Sequence, residues 1–281
     1  SKNVTLLLEP EGKNTAPAIA LAAEYAQKNG LLGPLLVMPA DHYICDFEKL
    51  LARLDDAVAL AEAQQLVTFA ITPTEPHTGY GYIRQGPPLH RDGCYKVAEF
   101  KEKPVLKLAE QYIASGEFSW NSGMFLFFAD VYLSELKRFA PKIASSIAQA
   151  AYFTEDLGFL RPNADILKTC PSDSIDYAIL ERSENVAMLP VDLTWSDVGS
   201  FSALSKIANK DQFGNYLGSQ GVSIDSENNL LISEADHTIA ALEFAIRRLY
   251  IPTMPPSSQI KKPLISCLNY LNNSRNETTI N

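Results

Sequence analysis

The sequence predicts an α/β fold, with a Rossmann-like, mostly parallel sheet flanked by helices and a short C-terminal segment that resembles a β-solenoid. Two observations carry this prediction. Short β-type runs alternate with amphipathic helical stretches through the first two thirds of the 281 residues, a pattern typical of crossover units on a parallel sheet. From Gly214 the pattern changes to brief apolar pairs separated by Gly, Asn, Asp and Ser, which indicates very short strands.

The first half of the chain has a clear order of strand, helix and strand. Strands are predicted at 4–8, 35–38, 66–72 and 96–102, and helices at 15–28 and 46–64. Gly30 ends the first helix, and Asp46 can cap the second. Pro104 can open a further helix at its first turn.

The second half adds one long buried strand, several helices and the short strands. The strand is predicted at 120–128, helices at 131–140, 143–151, 174–182 and 198–207, and short strands at 216–217, 222–224, 230–232 and 239–242. We therefore expect a main α/β domain at 1–210, a β-solenoid-like segment at 211–242 and a loosely structured tail at 243–281.

Composition narrows the range of functions. The net charge of −9 provides no basic surface for nucleic acid or for anionic membranes. No apolar run reaches the roughly 18 residues of a membrane span, and no secretion signal opens the chain, so a cytoplasmic location is expected. The 4 cysteines are widely separated and form no zinc-type pair.

Two aspartates are candidate metal ligands. Asp41 follows the buried strand at 35–38, where open α/β sheets bind their ligands. Mg²⁺ prefers carboxylate oxygens, but this stretch taken alone favours a turn or capping role for Asp41. Asp197, in the run Thr194 to Ser200, is a second candidate, with a helix N-cap formed by Ser196 or Asp197 as the alternative.

Three further stretches suit a hydroxylated, phosphorylated ligand. Glu102 can accept hydrogen bonds from hydroxyls and Lys103 can meet a phosphate, although a solvated charge run explains the pair as well. Gly79 lies in a Gly-x-Gly turn whose backbone can approach a ligand closely, and a simple turn entering a strand is the alternative. Asn121 begins the long buried strand with an amide that suits a sugar hydroxyl.

Taken together and in this order, these stretches resemble the sugar nucleotidyltransferase family, and within it most closely the mannose-1-phosphate guanylyltransferases. The resemblance covers about residues 4 to 241, and the stretches that carry it are 8–18, 38–42, 78–83, 99–104, 120–125, 174–179 and 195–200. It implies transfer of GMP from GTP to mannose 1-phosphate, yielding GDP-mannose and pyrophosphate.

The resemblance also implies roles for particular residues. Catalytic roles fall to Asp41, Lys103 and Asp197, with Mg²⁺ as the cofactor held by the two aspartates and the sugar phosphate met by Lys103. The sugar is bound by Gly79, Glu102 and Asn121, and the nucleotide by Glu9, Asn14 and Thr15. Guanine presents two adjacent donors that one carboxylate can accept together, so Glu9 favours GTP over UTP or dTTP.

One departure from the family bears on activity. The family has a first strand that runs into a glycine-rich, basic phosphate-wrapping loop, and the printed sequence shows no such loop before Val4. Because of this departure we expect impaired turnover. We also expect self-association into a homo-oligomer, since the missing first strand leaves a sheet edge unpaired. The alternatives left open are a catalytically dead sugar-nucleotide-binding or regulatory subunit, and a uridylyl- or thymidylyltransferase of the same fold.

Overall fold

The computed structural model describes residues 4–218, 221–233, 238–243, 248–251 and 278–279. The chain divides after Trp195 into two compact units. Within the described part of the chain, no helix is both long enough and apolar enough to cross a membrane.

The first unit alternates strands and helices, as the sequence predicts. Its strands are β1 (Leu6–Leu7), β2 (Leu35–Val37), β3 (Tyr43–Ile44), β4 (Leu66–Ile71), β5 (Tyr82–Pro88), β6 (Tyr95–Lys101), β7 (Phe118–Phe127), β8 (Thr154–Asp156), β9 (Phe159–Arg161) and β10 (Val186–Pro190), with β11 (Trp195–Ser196) at the division. Its helices are α1 (Thr15–Lys28), α2 (Phe47–Leu51), α3 (Leu54–Glu62), α4 (Leu106–Ser115), α5 (Ala129–Phe139), α6 (Pro141–Ala150) and α7 (Ala164–Thr169), followed by a π-helical turn at Asp176–Leu180.

The main sheet has six strands in the order β2-β7-β4-β10-β6-β5, and the prediction that it is mostly parallel is not confirmed. Among the described pairings of this sheet, only β4 with β10 is parallel, whereas β7 and β6 run antiparallel to their neighbours. The connection between β5 and β6 is six residues long (89–94), and so short a connection permits only antiparallel pairing. The sequence patterns missed β10, and they indicated β5 only as the alternative of a turn entering a strand.

Both faces of the sheet are covered, which explains why every residue of β4 is buried. Successive side chains of a strand point to opposite faces, so Leu66 and Ala70 join the apolar cluster that includes α1, α5 and α6. Val67 and Phe69 join the cluster that includes α3 and α4. The first helix is capped by Asn14, whose side chain accepts from the Thr15 N–H.

One predicted helix differs from the structure in both its extent and its cap. The helix expected from 46 to 64 is two helices, α2 and α3, and the Asp46 side chain makes no cap hydrogen bond. Asp46 instead accepts from the Thr194 N–H at 2.9 Å and pairs with Lys49 at 2.8 Å, so it joins two distant parts of the chain.

The described residues of the second unit form one helix and a series of short strands. Helix α8 (Phe201–Ile207) is followed by β12 (Tyr216–Leu217), β13 (Gly221–Ile224), β14 (Leu230–Ser233), β15 (Ile239–Leu242), β16 (Arg248–Ile251) and β17 (Thr278–Thr279). They form two parallel ladders, β12-β14-β16-β17 and β13-β15. Buried Asn215 supports this stack, because its Oδ1 accepts from the Asn229 backbone N–H at 2.9 Å. The predicted loose tail, 243–281, lies outside the described residues except at 243, 248–251 and 278–279.

Candidate functional site

Several polar side chains predicted from separate motifs meet at one place in the first unit. We call this group the Glu102 cluster; its members are Thr68, Gly81, Glu102, Lys103, Asn121, Asp176 and Glu181. They come from β4, from the turn before β5, from the end of β6, from β7 and from the π-helical turn. Sheet pairing draws them together, since Ala70 of β4 is in register with Asn121 of β7.

Glu102 and Lys103 directly follow β6, at a change of backbone direction. Lys103 has a φ of 46°, in the left-handed region that a non-glycine residue rarely occupies. Its N–H donates to the Tyr80 carbonyl at 3.2 Å, while the Glu102 N–H donates to Glu181 Oε1 at 3.0 Å. The Glu102 side chain is 10% exposed and that of Lys103 60%, with Lys103 Nζ 3.4 Å from Glu102 Oε1. The carboxylate is thus recessed and the ammonium faces solvent.

The Glu102 cluster is an acidic, partly dry recess. The pKa of Glu102 is raised to about 7, chiefly by burial and also by the nearby charges of Asp176 and Glu181, with Lys103 opposing the shift. Burial also raises the pKa of Asp176. A carboxyl group that ionises near neutral pH can accept hydrogen bonds from ligand hydroxyls when charged and donate one when protonated.

Glu102 should make stability depend on pH. The folded protein retains the Glu102 proton up to about pH 7, whereas at its ordinary pKa of 4.5 the unfolded chain releases it. Because the folded state binds more protons between these values, stability should fall as pH rises through this window. Across this pH window the wild-type protein should lose roughly 1–2 kcal/mol more of its free energy of unfolding than Glu102→Gln does, after allowance for solvent screening. Urea unfolding of both proteins from pH 4.5 to 7.5 measures it, and parallel pH profiles would contradict the assignment.

Asp41 lies in the first unit. It is exposed, follows β2, and its carboxylate makes no hydrogen bond or ion pair with any described residue, so the structure provides no capping partner for it. The neighbouring His42 accepts from the Trp195 indole N–H through Nδ1 at 3.2 Å. A Cβ on Gly123, two residues beyond Asn121, would lie 3.5 Å from the His42 ring.

Gly79 is exposed, and its N–H donates to His77 Nδ1 at 3.2 Å. The His77 ring stacks on Tyr80 at 3.8 Å, and Tyr80 packs edge-on against Trp120 and Trp195. The turn is therefore held rigidly by aromatic packing, and the Gly79 N–H is already engaged within it.

In the second unit, Asp197 lies in a turn before α8. Its Oδ1 accepts from the Gly199 N–H at 3.1 Å, which is an Asx turn. The helix cap is Ser200, which accepts from the Ala203 N–H, so α8 begins three residues later than the predicted 198 and neither Ser196 nor Asp197 caps it. Among the described residues, no group of three or more His, Cys, Asp or Glu side chains is arranged to hold a metal ion.

The three predicted nucleotide-binding residues differ in whether their side-chain oxygens already accept a hydrogen bond within the protein. Glu9 Oε1 is buried and has no hydrogen-bond donor among the described residues, and burial raises the pKa of this carboxyl. Asn14 Oδ1 is used by the Thr15 N–H, and Thr15 Oγ1 accepts from the Ile175 N–H at 2.9 Å. Only the Glu9 oxygen among these is a buried acceptor that a ligand donor could satisfy.

Sequence reasoning missed four members of the Glu102 cluster as site residues: Thr68, Gly81, Asp176 and Glu181. Thr68 donates to Asn121 Oδ1 at 2.9 Å, and Asn121 Nδ2 donates to Asp176 Oδ1 at 3.0 Å. These contacts join residues 53 and 55 positions apart, which no local pattern encodes. The stretch 174–179, which contains Asp176 and carries part of the family resemblance, is the sequence feature that could have indicated this residue.

The fold and the site together define an α/β protein in which buried carboxyl and amide groups lie beside an exposed lysine. Comparison with known proteins identifies the family. Residues 1–213 match the model of the family described as "Nucleotidyl transferase". The chain belongs to the nucleotidyl transferase family.

Individual relatives are similar over most of this chain. It is 47% identical over 237 residues to a mannose-1-phosphate guanylyltransferase of Salmonella montevideo and 42% identical over 236 residues to one of Escherichia coli K12. Each alignment covers 82% of this chain and 49% of the relative, so the chain spans about half the length of these curated relatives. A crystal structure from Thermus thermophilus, named mannose-1-phosphate geranyltransferase, is 30% identical with a TM-score of 0.76, covering 90% of this chain and 72% of the other.

Proposed function

We propose that this chain is the catalytic core of a mannose-1-phosphate guanylyltransferase, which forms GDP-mannose and pyrophosphate from GTP and mannose 1-phosphate. The observation that carries the proposal is the Glu102 cluster, where a recessed carboxylate and a buried amide adjoin an exposed ammonium. Such a group offers partners for sugar hydroxyls and for one phosphate. The names of relatives at 42–47% identity support the choice of mannose 1-phosphate and GTP.

The reaction needs no covalent nucleophile on the protein. A phosphate oxygen of mannose 1-phosphate attacks the α-phosphorus of GTP, a new P–O bond forms, and the bond from that phosphorus to the oxygen bridging the β-phosphate breaks to release pyrophosphate. Catalysis then consists mainly of positioning and charge neutralisation. Glu102 and Asn121 hold the sugar, and Lys103 holds its phosphate close to the nucleotide.

Glu9 is our choice for the residue that reads the base. Its buried Oε1 has no donor among the described residues, and a buried acceptor left unsatisfied is costly. The guanine N1–H and 2-amino groups are adjacent donors that one carboxylate can accept together, whereas uracil presents a donor flanked by acceptors. Asn14 and Thr15, which cap and anchor α1, support this nucleotide-binding segment.

We propose Mg²⁺ as the cofactor, and the donor chemistry fits it. Asp41 offers an exposed carboxylate with no described partner, and Asp197 offers a carboxylate with one oxygen in an Asx turn. Mg²⁺ is held by one or two protein carboxylates together with substrate phosphates, which matches this supply. When bound, the ion would neutralise charge on the nucleotide phosphates.

Three broader features complete the proposal. The reaction takes place in the cytoplasm, because its highly charged substrates do not cross membranes unaided. Residues 1–210 form the nucleotidyltransferase domain and 211–242 a β-solenoid-like segment, which the parallel ladders of β12 to β16 support. The enzyme works on small molecules, with self-association as the expected protein contact.

Calorimetry with GDP-mannose tests the proposal. We expect GDP-mannose to bind at least tenfold more tightly than UDP-glucose, and more tightly with Mg²⁺ than without it. A coupled assay should detect pyrophosphate only when GTP and mannose 1-phosphate are both present. Preference for UDP-glucose would contradict the assignment of Glu9 to the base. Glu9→Gln should reduce the ratio of the affinity for GDP-mannose to the affinity for UDP-glucose.

Asparagine substitutions separate the metal role of each aspartate from a structural one. Asp41→Asn and Asp197→Asn keep an oxygen for turn hydrogen bonds but remove the charge that Mg²⁺ requires. Each should retain the wild-type melting temperature and lose most of the Mg²⁺-dependent gain in GDP-mannose affinity. A variant that melts earlier but keeps the full Mg²⁺ effect would show that its aspartate is structural.

A further inference from the structure

The π-helical turn Asp176–Leu180 brings two acidic residues to the same side of the chain. The Glu181 N–H donates to the Asp176 carbonyl at 2.9 Å, which closes a ring between residues five apart. In such a turn, Asp176 and Glu181 lie roughly one above the other, whereas in an α-helix residues five apart point in different directions. Single π-type turns are frequent at functional sites.

Asp176, at the start of this turn, determines how the Asn121 amide is oriented. Asn121 Nδ2 donates to Asp176 Oδ1 at 3.0 Å, while Asn121 Oδ1 accepts from Thr68 Oγ1 at 2.9 Å and from the Gly123 N–H at 3.3 Å. A carboxylate oxygen can only accept, so it selects the nitrogen end of the amide. One N–H of Asn121 then remains available to donate to a ligand oxygen.

Glu181, directly after the turn, hydrogen-bonds to the backbone just beyond β6. Its Oε1 accepts from the Glu102 N–H at 3.0 Å, next to the left-handed Lys103. A residue in this conformation persists only where its surroundings hold it there. Here the holding contacts are Glu181 on the Glu102 N–H and the Tyr80 carbonyl on the Lys103 N–H, at 3.2 Å. The direction of the Lys103 side chain therefore depends on Glu181.

We propose that Asp176 and Glu181 are positioning residues for the sugar-phosphate subsite, Asp176 by orienting the Asn121 amide and Glu181 by fixing the Glu102–Lys103 backbone. This inference rests on the proposed function, because it assigns the subsite to mannose 1-phosphate. It makes the π-helical turn a single support for both halves of the subsite, the amide on β7 and the charged pair at the end of β6.

Paired substitutions test the inference. Asp176→Ala and Glu181→Ala remove the acceptors, whereas Asp176→Asn and Glu181→Gln keep an oxygen that can accept the same N–H. We expect each alanine variant to raise the KM for mannose 1-phosphate about tenfold, as loss of a hydrogen bond to a charged group does, with the KM for GTP within about twofold. The amide variants should recover most of that loss. Glu184→Ala is the matched control, since Glu184 is exposed and close by in the sequence.

If the alanine variants leave the KM for mannose 1-phosphate unchanged, or if they raise both KM values equally without rescue by the amide variants, the turn has only a structural role. Asp176 is largely buried, so Asp176→Ala could fail to fold; Glu181 is exposed, and its variants then decide the result.

A spectroscopic measurement separates this inference from the proposed function. The Asn121 side-chain amide protons, assigned by their loss in Asn121→Ala, should shift in Asp176→Ala and stay close to wild type in Glu184→Ala. This signal needs no substrate. Failure of the wild-type protein to bind GDP-mannose would refute the proposed function alone, whereas an unchanged Asn121 signal in Asp176→Ala would refute the positioning role whatever the activity.

Discussion

Replacing Lys103 by methionine is expected to lower kcat/KM for mannose 1-phosphate by about 10²–10³-fold, the usual effect of losing one preorganised charge-stabilising donor. The Lys103 side chain is 60% exposed, and its recorded ion pair is with Glu102 at 3.4 Å, so its ammonium is accessible to a ligand phosphate. Methionine keeps an unbranched, flexible side chain and removes the charge. Steady-state kinetics with each substrate varied in turn measure the effect, and the KM for GTP should change little.

Lys101→Met is the matched control for this prediction. Lys101 is an exposed lysine at the end of the same strand, two residues earlier, so its loss changes the net charge equally. It should leave kcat/KM within about twofold of wild type, since an exposed charge away from the site contributes little. Equal losses from both substitutions would show that Lys103 acts through general charge and not by contact with the phosphate.

The sequence motifs identified Glu102 and Asn121, the centre of the candidate site, but not the residues that hydrogen-bond to them. Glu102 and Asn121 were singled out because each follows or opens a strand with side chains suited to hydroxyls, and the structure places both in one cluster. Their partners could not be found in this way, because Asp176 reaches Asn121 across 55 residues of sequence. Such a contact depends on the sheet order, which local patterns do not encode.

The strand directions illustrate the same limit. Alternation of strand and helix correctly predicted an α/β class, since apolar periodicity is a local property. It did not predict that β6 and β7 run antiparallel to their neighbours. Strand direction is set by whether a connection is a short hairpin or a crossover, and a strand at β5 was considered only as the alternative to a ligand-binding turn.

Local hydrogen bonding also redirected some predicted ligand-binding groups. Asn14 and Thr15 were expected to contact the nucleotide, and their side-chain oxygens are taken by backbone N–H groups at the start of α1 and at Ile175. Short polar side chains compete for nearby backbone groups, so an oxygen that looks available in a sequence is often used locally. Glu9, with a longer side chain, keeps a buried oxygen without a described donor.

Adding one methyl group at Gly81 is expected to disrupt sugar binding almost as strongly as removing the Lys103 charge. A Cβ built on Gly81 would lie 2.5 Å from Glu102 Oε2 and 3.2 Å from the Asn121 Cβ. Because Gly81 lies outside the left-handed region, the obstacle is space alone. Gly81→Ala should raise the KM for mannose 1-phosphate by roughly 10²-fold, since a shift of about 1 Å in positioning groups has an effect of that size. Gly33→Ala, where a Cβ would meet nothing within 4 Å, is the control.

The clash at Gly81 can be relieved from the other side, which makes the prediction specific. Glu102→Asp withdraws the carboxylate by one methylene, so the double variant Gly81→Ala/Glu102→Asp should be more stable to urea than Gly81→Ala alone, by about 1 kcal/mol out of an overpacking cost of about 1–3 kcal/mol. Sugar binding should stay weak in the double variant, because the shorter side chain no longer reaches the ligand. A double-mutant cycle measures this coupling. Strictly additive effects on stability would show that the Glu102 carboxylate does not depend on the space left by the missing side chain of Gly81.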